Sequence, residues 1–408
     1  MTGRYDVVIV GGGLVGASLA CALSPLGIKV ALLEAVSIRA QSQPSYDDRT
    51  LALSASSCRI LQGLGIWPSL AENATAIREI QVREFERPGR VILDPTELGL
   101  DRFGHVVEAR VFGAAVMERL PGLENLDFIC PATVTGVEVD ERQATVEVTS
   151  EAGSQTIQAG LLVGADGANS IIRESLGIAS ESHDYRQTAV ICNITPEQDH
   201  AGRAFECFTR TGPFAVMPHV NGRCGLIWCV SSEEVAGMME MPDEQFMSLA
   251  EQRFGNHLGR FLKIGKRSCY PLRLVKALED TRSRSVIIGN AAHAIHPVGA
   301  QGFNLGLRDA AVLAELISTE SSKGSKADYG DRALLNRYSE WRKEDHQETI
   351  AYSDGLARIY SNPTPLAGSA RTAGLLAHAL FPSLRRKLAV RMMGYRGRIP
   401  RLATGESL

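Results

Sequence analysis

The chain opens on an apolar run, Tyr5-Asp6-Val7-Val8-Ile9-Val10, that stops abruptly at the glycines of residues 11–16. Continuous hydrophobicity of this length reads as a strand covered on both faces, because a strand with one wet face alternates. Residues 17–26 have helical composition, and Lys29-Val30-Ala31-Leu32-Leu33-Glu34 reads as a second buried strand. A segment rich in Ser, Gln and Pro (37–48) reads as a loop, and 48–53 leads into a helix expected near 54–64. Residues 80–104 are strand-like and turn-rich, and 106–120 reads as helix. Residues 127–159 alternate as a β-meander does, for example at Val137-Glu138-Val139. Leu161-Leu162-Val163 runs into a glycine-bearing turn at Gly164. Residues 189–270 alternate again, with one helix expected at about 243–254. Ser285-Val286-Ile287-Ile288-Gly289 returns to a buried strand, followed by a glycine-rich loop and a helix at about 304–318. The remainder reads as helical.

This order predicts an α/β protein: a Rossmann-like nucleotide-binding domain written in three pieces (1–79, 105–183 and 276–345) around a mostly antiparallel β-sheet domain at 184–275. Residues 80–104 form a first excursion into that β domain, and 346–408 a C-terminal helical segment. A length of 408 residues suits two interlocked domains.

Composition narrows the function by exclusion. A formal net charge of −3 gives no reason to expect a nucleic-acid partner. The eight cysteines lack any CxxC pair, which argues against zinc and against a disulfide framework and for reduced thiols in a cytoplasmic setting. The N-terminal apolar run carries Asp6 and leads into glycines, unlike a signal peptide. No stretch reaches the roughly 20 apolar residues of a membrane-spanning helix. The last forty or so residues are basic: Arg371, Arg385, Arg386, Lys387, Arg391, Arg396, Arg398 and Arg401 stand against Glu406. Such a tail suits peripheral contact with an anionic membrane, an acidic partner surface, or a solvated helix face.

Three constellations carry the chemistry. The first is Gly11-x-Gly13-x-x-Gly16 with Glu34 about twenty residues on, as a dinucleotide fingerprint requires. Gly11 permits the tight turn, Gly13 lets backbone approach a pyrophosphate, and Gly16 allows close packing of helix on strand. The helix that follows presents unpaired N–H groups to phosphate, and Glu34 can accept hydrogen bonds from a ribose diol. The second is Gly164-Ala165-Asp166-Gly167-Ala168-Asn169-Ser170 with Arg173. The third runs from Gly289-Asn290 through His293, His296 and Pro297 to Gly299, Gln301, Gly302, Phe303 and Asn304. Its glycines make room for a planar ring against backbone, and N–H groups entering the helix at Asn304 suit negative charge on that ring.

In this order and spacing the three segments resemble the class A flavoprotein aromatic hydroxylases, the group typified by para-hydroxybenzoate hydroxylase. The resemblance implies FAD as cofactor, NAD(P)H as electron donor, O2 as co-substrate and a phenol as substrate. It assigns Asp166 and Gly167 to the motif shared by the pyrophosphate and the nicotinamide cofactor, Gly289 and Asn290 to the ribityl chain, and 297–304 to the isoalloxazine. The family usually has Gly-Asp where this chain has Gly289-Asn290, and Asn keeps the hydrogen-bonding oxygen without the charge. Further runs narrow the resemblance to the ubiquinone-biosynthesis hydroxylases. They are Ser45-Tyr46-Asp47-Asp48-Arg49-Thr50-Leu51-Ala52-Leu53-Ser54, Val106-Val107-Glu108-Ala109-Arg110, and Gly202-Arg203-Ala204-Phe205-Glu206-Cys207-Phe208-Thr209 with Gly212-Pro213 and Met217-Pro218. Arg49 and Arg110 would then serve FAD.

That family implies a polyprenyl phenol as small-molecule substrate, met at the inner-membrane surface or through other quinone-pathway enzymes. His219, His293 and His296 are the candidates for steering the phenol, although a lone His is more often a packed residue. Two rival readings share the pattern. One is a sister hydroxylase acting at another ring position or on a soluble phenol; the other is a flavin oxidoreductase that inserts no oxygen.

Overall fold

A computed structural model describes residues 2–37, 49–362 and 364–408. Most of the expected loop at 37–48, and residues 45–48 of the Arg49 segment, lie outside the described residues.

The strand Thr2–Val10 is central to an eight-stranded sheet. Val7 and Ile9 enter the core on one face of it, while Val8 and Val10 enter the core on the other. Both faces are covered, which is why the run is continuously apolar. Val30–Leu33 pairs parallel to it on one side and Gly153–Gly164 on the other. The strand order therefore reverses at Thr2–Val10, and a crevice opens beyond its C-terminal end, where α/β sheets take their ligands. Leu126–Ile129 and Ser285–Ile287 extend the parallel sheet outward. On its other edge the first half of Gly153–Gly164 pairs antiparallel with Ala144–Ser150, which pairs in turn with Ala132–Val139.

The second sheet has nine strands, and its central strand is Ser180–Pro196. Glu79–Glu84 joins it parallel to Arg203–Thr209, so the segment after residue 79 pairs with this second sheet. One face packs on the helices Val235–Glu240 and Asp243–Phe254 through Phe214, Trp228, Phe246 and Phe254. The other face looks back toward the nucleotide domain. Helix Arg332–Ser361 runs unbroken through residue 346, and the helices Pro365–Leu380 and Pro382–Met392 cover the second sheet's edge at Arg90–Leu93.

Local structure departs from the sequence reading in four places. Residues 104–108 are not helical: Gly104–Glu108 is the middle strand of a small sheet with Thr50–Ser54 and Thr75–Ile77, and the helix starts at Ala109. Adjacent Val106 and Val107 are both buried, and their branched side chains suit a strand. Leu126–Ile129 belongs to the parallel sheet, so the meander begins at Ala132. A short helix, Val235–Glu240, precedes the one expected in the β domain. The helix expected at 304 begins at Gln301.

Candidate active site

Gly11 sits at φ +106°, and a Cβ there would lie 2.4 Å from the Ala165 carbonyl oxygen. A Cβ on Gly16 would lie 2.0 Å from the carbonyl oxygen of Gly11. These two glycines press the turn, the helix Leu14–Leu23 and the second constellation together. Glu34 is buried, and its carboxylate accepts from Gly12 N–H and Val36 N–H, both at 2.8 Å. Lone pairs remain on both oxygens for a diol. Gly13 precedes Leu14–Leu23 and no side chain caps that helix. By contrast, Ser54 and Ser170 cap the helices Ala55–Gly63 and Ile171–Ser175. The uncapped N–H groups border a cavity of about 1260 Å³ that Gly11, Gly13 and Glu34 line.

The same cavity is lined by Arg49, Asp166, Gly167, Asn290, Pro297, Gly299, Gln301, Gly302, Phe303 and Asn304. The structure thus brings segments far apart in sequence around one space. Asp166 is engaged by its own turn, accepting from Ser170 Oγ at 2.5 Å and Ile172 N–H at 3.1 Å. Arg173 ties the second constellation to the third, donating to the carbonyls of Ala168 (2.9 Å) and Ala291 (2.8 Å). Gly289 packs against Val15 behind the wall, and its N–H donates to Asp309 at 3.0 Å. Asp309 also receives His293, Arg342 and His346, each at 2.7 Å. Burial alone would raise its pKa, but His346, His293 and Arg342 hold it well below the usual carboxylate range.

Before the helix Gln301–Ser321, both Gly299 (φ +70°) and Ala300 (φ +52°) are left-handed. That conformation is strained for alanine and leaves the helix start without a side-chain cap beside the cavity. Asn304 lines the cavity, yet its side chain is spent on the protein. Its Oδ1 accepts from Ser54 N–H and Ser57 Oγ, and its Nδ2 donates to the carbonyls of Ala52 and Ala300. All four bonding positions of the amide are filled.

Several sequence candidates fall elsewhere. Arg110 is outside the cavity wall and pairs with Glu108, whereas Arg49 reaches the wall beside the Tyr270 ring. None of His219, His293 and His296 lines the cavity. Val298 N–H donates to His296 Nδ1, so Nε2 carries the proton and donates to Gln187 Oε1 at 3.1 Å. Burial pushes both His219 and His296 down to about 4, keeping them neutral. Beyond Val298 and Gly299 the cavity continues along the second sheet, lined by Ala189, Ile191, Pro213, Ala215, Ile227 and Cys229, with Glu206 among them. Tyr352 and Tyr360 of the long helix close the opposite side. The sequence reading named neither Glu206 nor these tyrosines as site residues.

The basic residues of the last helices are largely engaged within the molecule. Arg371 pairs with Glu84 at 2.8 Å, Arg385 with Glu97 at 2.9 Å, and Arg396 with Glu348, while Arg391 and Arg398 lie over the rings of Tyr352 and Trp341. No helix among the described residues is long and apolar enough to cross a membrane.

Fold and cavity together define an FAD enzyme of the aromatic-hydroxylase class, and comparison with known proteins bears this out. The family model described as "FAD binding domain" matches residues 4–353. The ubiquinone hydroxylase UbiL of Rhodospirillum rubrum is 36% identical over 95% of this chain and 89% of its own. The 3-demethoxyubiquinol 3-hydroxylase of Escherichia coli is 30% identical, over 91% and 94% respectively. Among solved structures, p-nitrophenol 4-monooxygenase from Pseudomonas putida superposes with a TM-score of 0.79 over 97% of this chain and all of that one, at 19% identity. That last likeness concerns the fold. The chain belongs to the family of FAD-dependent ubiquinone-biosynthesis hydroxylases.

Proposed function

We propose that this protein hydroxylates the ring of a polyprenylated phenol in ubiquinone biosynthesis, taking 2-polyprenyl-6-methoxyphenol to the 1,4-benzoquinol. The observation that carries the reading is the continuous cavity that runs from the glycine turn to an apolar wall of the second sheet. At about 1260 Å³ it exceeds the roughly 300–1,000 Å³ of a pocket for one small molecule, as a shared space for cofactor and substrate requires.

The residues present fit FAD. The uncapped start of Leu14–Leu23 would take the pyrophosphate, Glu34 the ribose, Arg49 and Asp166 the intervening oxygens, and Asn290 the ribityl chain. Residues 297–303 would flank the isoalloxazine through backbone, with Asn304 holding that loop onto the strand Thr50–Ser54. Bound FAD, reduced by NAD(P)H, supplies the activated oxygen. The chain orients the ring against the flavin loop and keeps water away with the apolar sheet face. A neutral phenol needs no cationic anchor, which agrees with neutral His219 and His296 lying outside the wall.

Exposed Ile359 and Gly374 are among the wall residues, so the cavity reaches the surface near the C-terminal helices. Leu380 and Phe381, 72% and 57% exposed, stand at the end of Pro365–Leu380 and suit a bilayer surface that delivers an insoluble substrate. Binding to anionic liposomes that is unchanged by Phe381→Asp would remove this part of the reading.

Deleting the gene and identifying the accumulating quinone precursor by mass spectrometry tests the assignment. Accumulated 2-polyprenyl-6-methoxyphenol supports it. The Escherichia coli relative, named for another ring position, supports a sister reaction as the second reading, and a different intermediate would move the assignment there. Product lacking oxygen from labelled O2 would overturn both.

A further inference from the structure

Among the described residues, three carboxyl side chains line the cavity: Glu34, Asp166 and Glu206. Glu34 and Asp166 lie at the glycine-turn end and are bonded to backbone or serine donors. Glu206 lies elsewhere and is half-buried; its Oε1 is closed off from solvent and has no hydrogen-bond partner among the described residues. It projects from Arg203–Thr209, opposite Ala215 on one neighbouring strand and Val82 on the other. Ala215 in turn faces Ile227. All of these line the cavity, so the carboxyl is set into an apolar floor.

Two residues along the same strand face, Phe208 stacks on Tyr360 with ring centroids 3.5 Å apart and packs against Val298 of the flavin loop. Glu206 is therefore one step along the floor from the place where the proposed ring position meets the flavin loop. The titratable groups that feel its charge are Cys207, Cys229, Tyr352 and Tyr360. Arg391 and Arg371 lie over the Tyr352 and Tyr360 rings, while burial pushes the Glu206 carboxyl up to about 7. An acid left without a partner in an apolar wall destabilises the fold, unless a ligand supplies the missing hydrogen bond.

We propose that Glu206 receives the ring hydroxyl of the substrate and is the residue by which the site selects a phenol over an aromatic ether. The inference rests on the phenol reading above and adds to it the acceptor atom. The substrate O–H donates to the carboxyl, which fixes the ring's rotation between the sheet floor and the flavin loop. A methyl ether of the same shape cannot donate, and its binding would leave the carboxyl unpaired.

The test compares two probes on the FAD-loaded protein, 2-methoxy-6-prenylphenol and its O-methyl ether. Dissociation constants are read from the perturbation of the bound flavin's absorbance. The wild-type protein is expected to bind the phenol about tenfold or more tightly than the ether. Glu206→Leu should erase that preference, and Glu206→Gln should reduce it severalfold, since the amide oxygen still accepts but carries no charge. A preference undiminished in the near-isosteric Gln variant overturns the proposal whether or not the Leu variant folds. Wild-type protein that holds FAD but binds neither probe overturns the phenol reading itself, and this inference with it.

Discussion

A methyl group cannot be placed on Gly16 without meeting the Gly11 carbonyl at 2.0 Å, whereas Gly167 has nothing within 4 Å of the same position. Gly16→Ala is therefore expected to yield colourless protein, while Gly167→Ala keeps its flavin and loses only about 1–2 kcal/mol to its left-handed backbone. Absorbance at the flavin maximum after gel filtration distinguishes them. Glu206 allows a sharper expectation. Its folded-state pKa, about 7, lies above the ordinary 4.5, so the unfolded chain releases this proton first as pH rises. Stability from this group is then present below about 4.5 and lost progressively up to about 7. Glu206→Gln should accordingly be more stable than wild type at pH 8, by up to about 3 kcal/mol, and no more stable at pH 4. Urea unfolding of the flavin-free protein at both pH values measures this, and equal stability at pH 8 would refute it. The sequence could not single this residue out. Arg203–Thr209 is buried on both faces, so no alternation marks which side meets the cavity. The histidines drew notice by residue type alone, and type says nothing about which way a ring faces.

Between elements, the ion pair of Arg371 with Glu84 clamps Pro365–Leu380 onto Glu79–Glu84, and Arg371 also donates to the carbonyls of Ile359 and Asn362. Both charged groups are buried, and without Arg371 the Glu84 carboxylate keeps only the more exposed Arg87 at 3.2 Å, so Arg371→Ala is expected to cost about 3 kcal/mol. Hydrogen exchange should show faster opening of residues 365–392 while the flavin turn stays protected; uniform protection would count against the clamp. The elements themselves were largely readable. The unbroken apolar strands, the glycine turns and the helix at Asp243–Phe254 follow from periodicity and turn chemistry. Gly104–Glu108 was misread because its neighbours in the small sheet come from distant segments, and pairing of that kind leaves no local trace. The start of Gln301–Ser321 was placed late because left-handed Ala300 has no residue type to announce it.

At the scale of the molecule, the cavity lies between two sheets, and its lining is drawn from segments far apart in the chain. A ligand that fills it should join the two halves into one cooperative unit. FAD at one hundred times its Kd is expected to add about 2.7 kcal/mol of stability. Thermal scans should show one transition shifted upward with FAD, and an unmoved midpoint would contradict the fit argued for the cradle. The nucleotide-binding fold was legible because its glycine turns are sequence-local. The shared cavity was not, because it exists only once the second sheet folds back over those turns.

The cavity's outlet beside Ile359 and Gly374 has a consequence for the kind of discrimination this protein exercises. A closed chamber would act as a ruler, rejecting any isoprenoid longer than its depth. A channel with an exit would grip the aromatic head of the proposed substrate and let its tail trail outside, so longer and shorter prenyl chains would present the same head to the same walls. On the proposed reading fidelity would then be set at the ring, and the same chain would serve cells whose quinones differ in length.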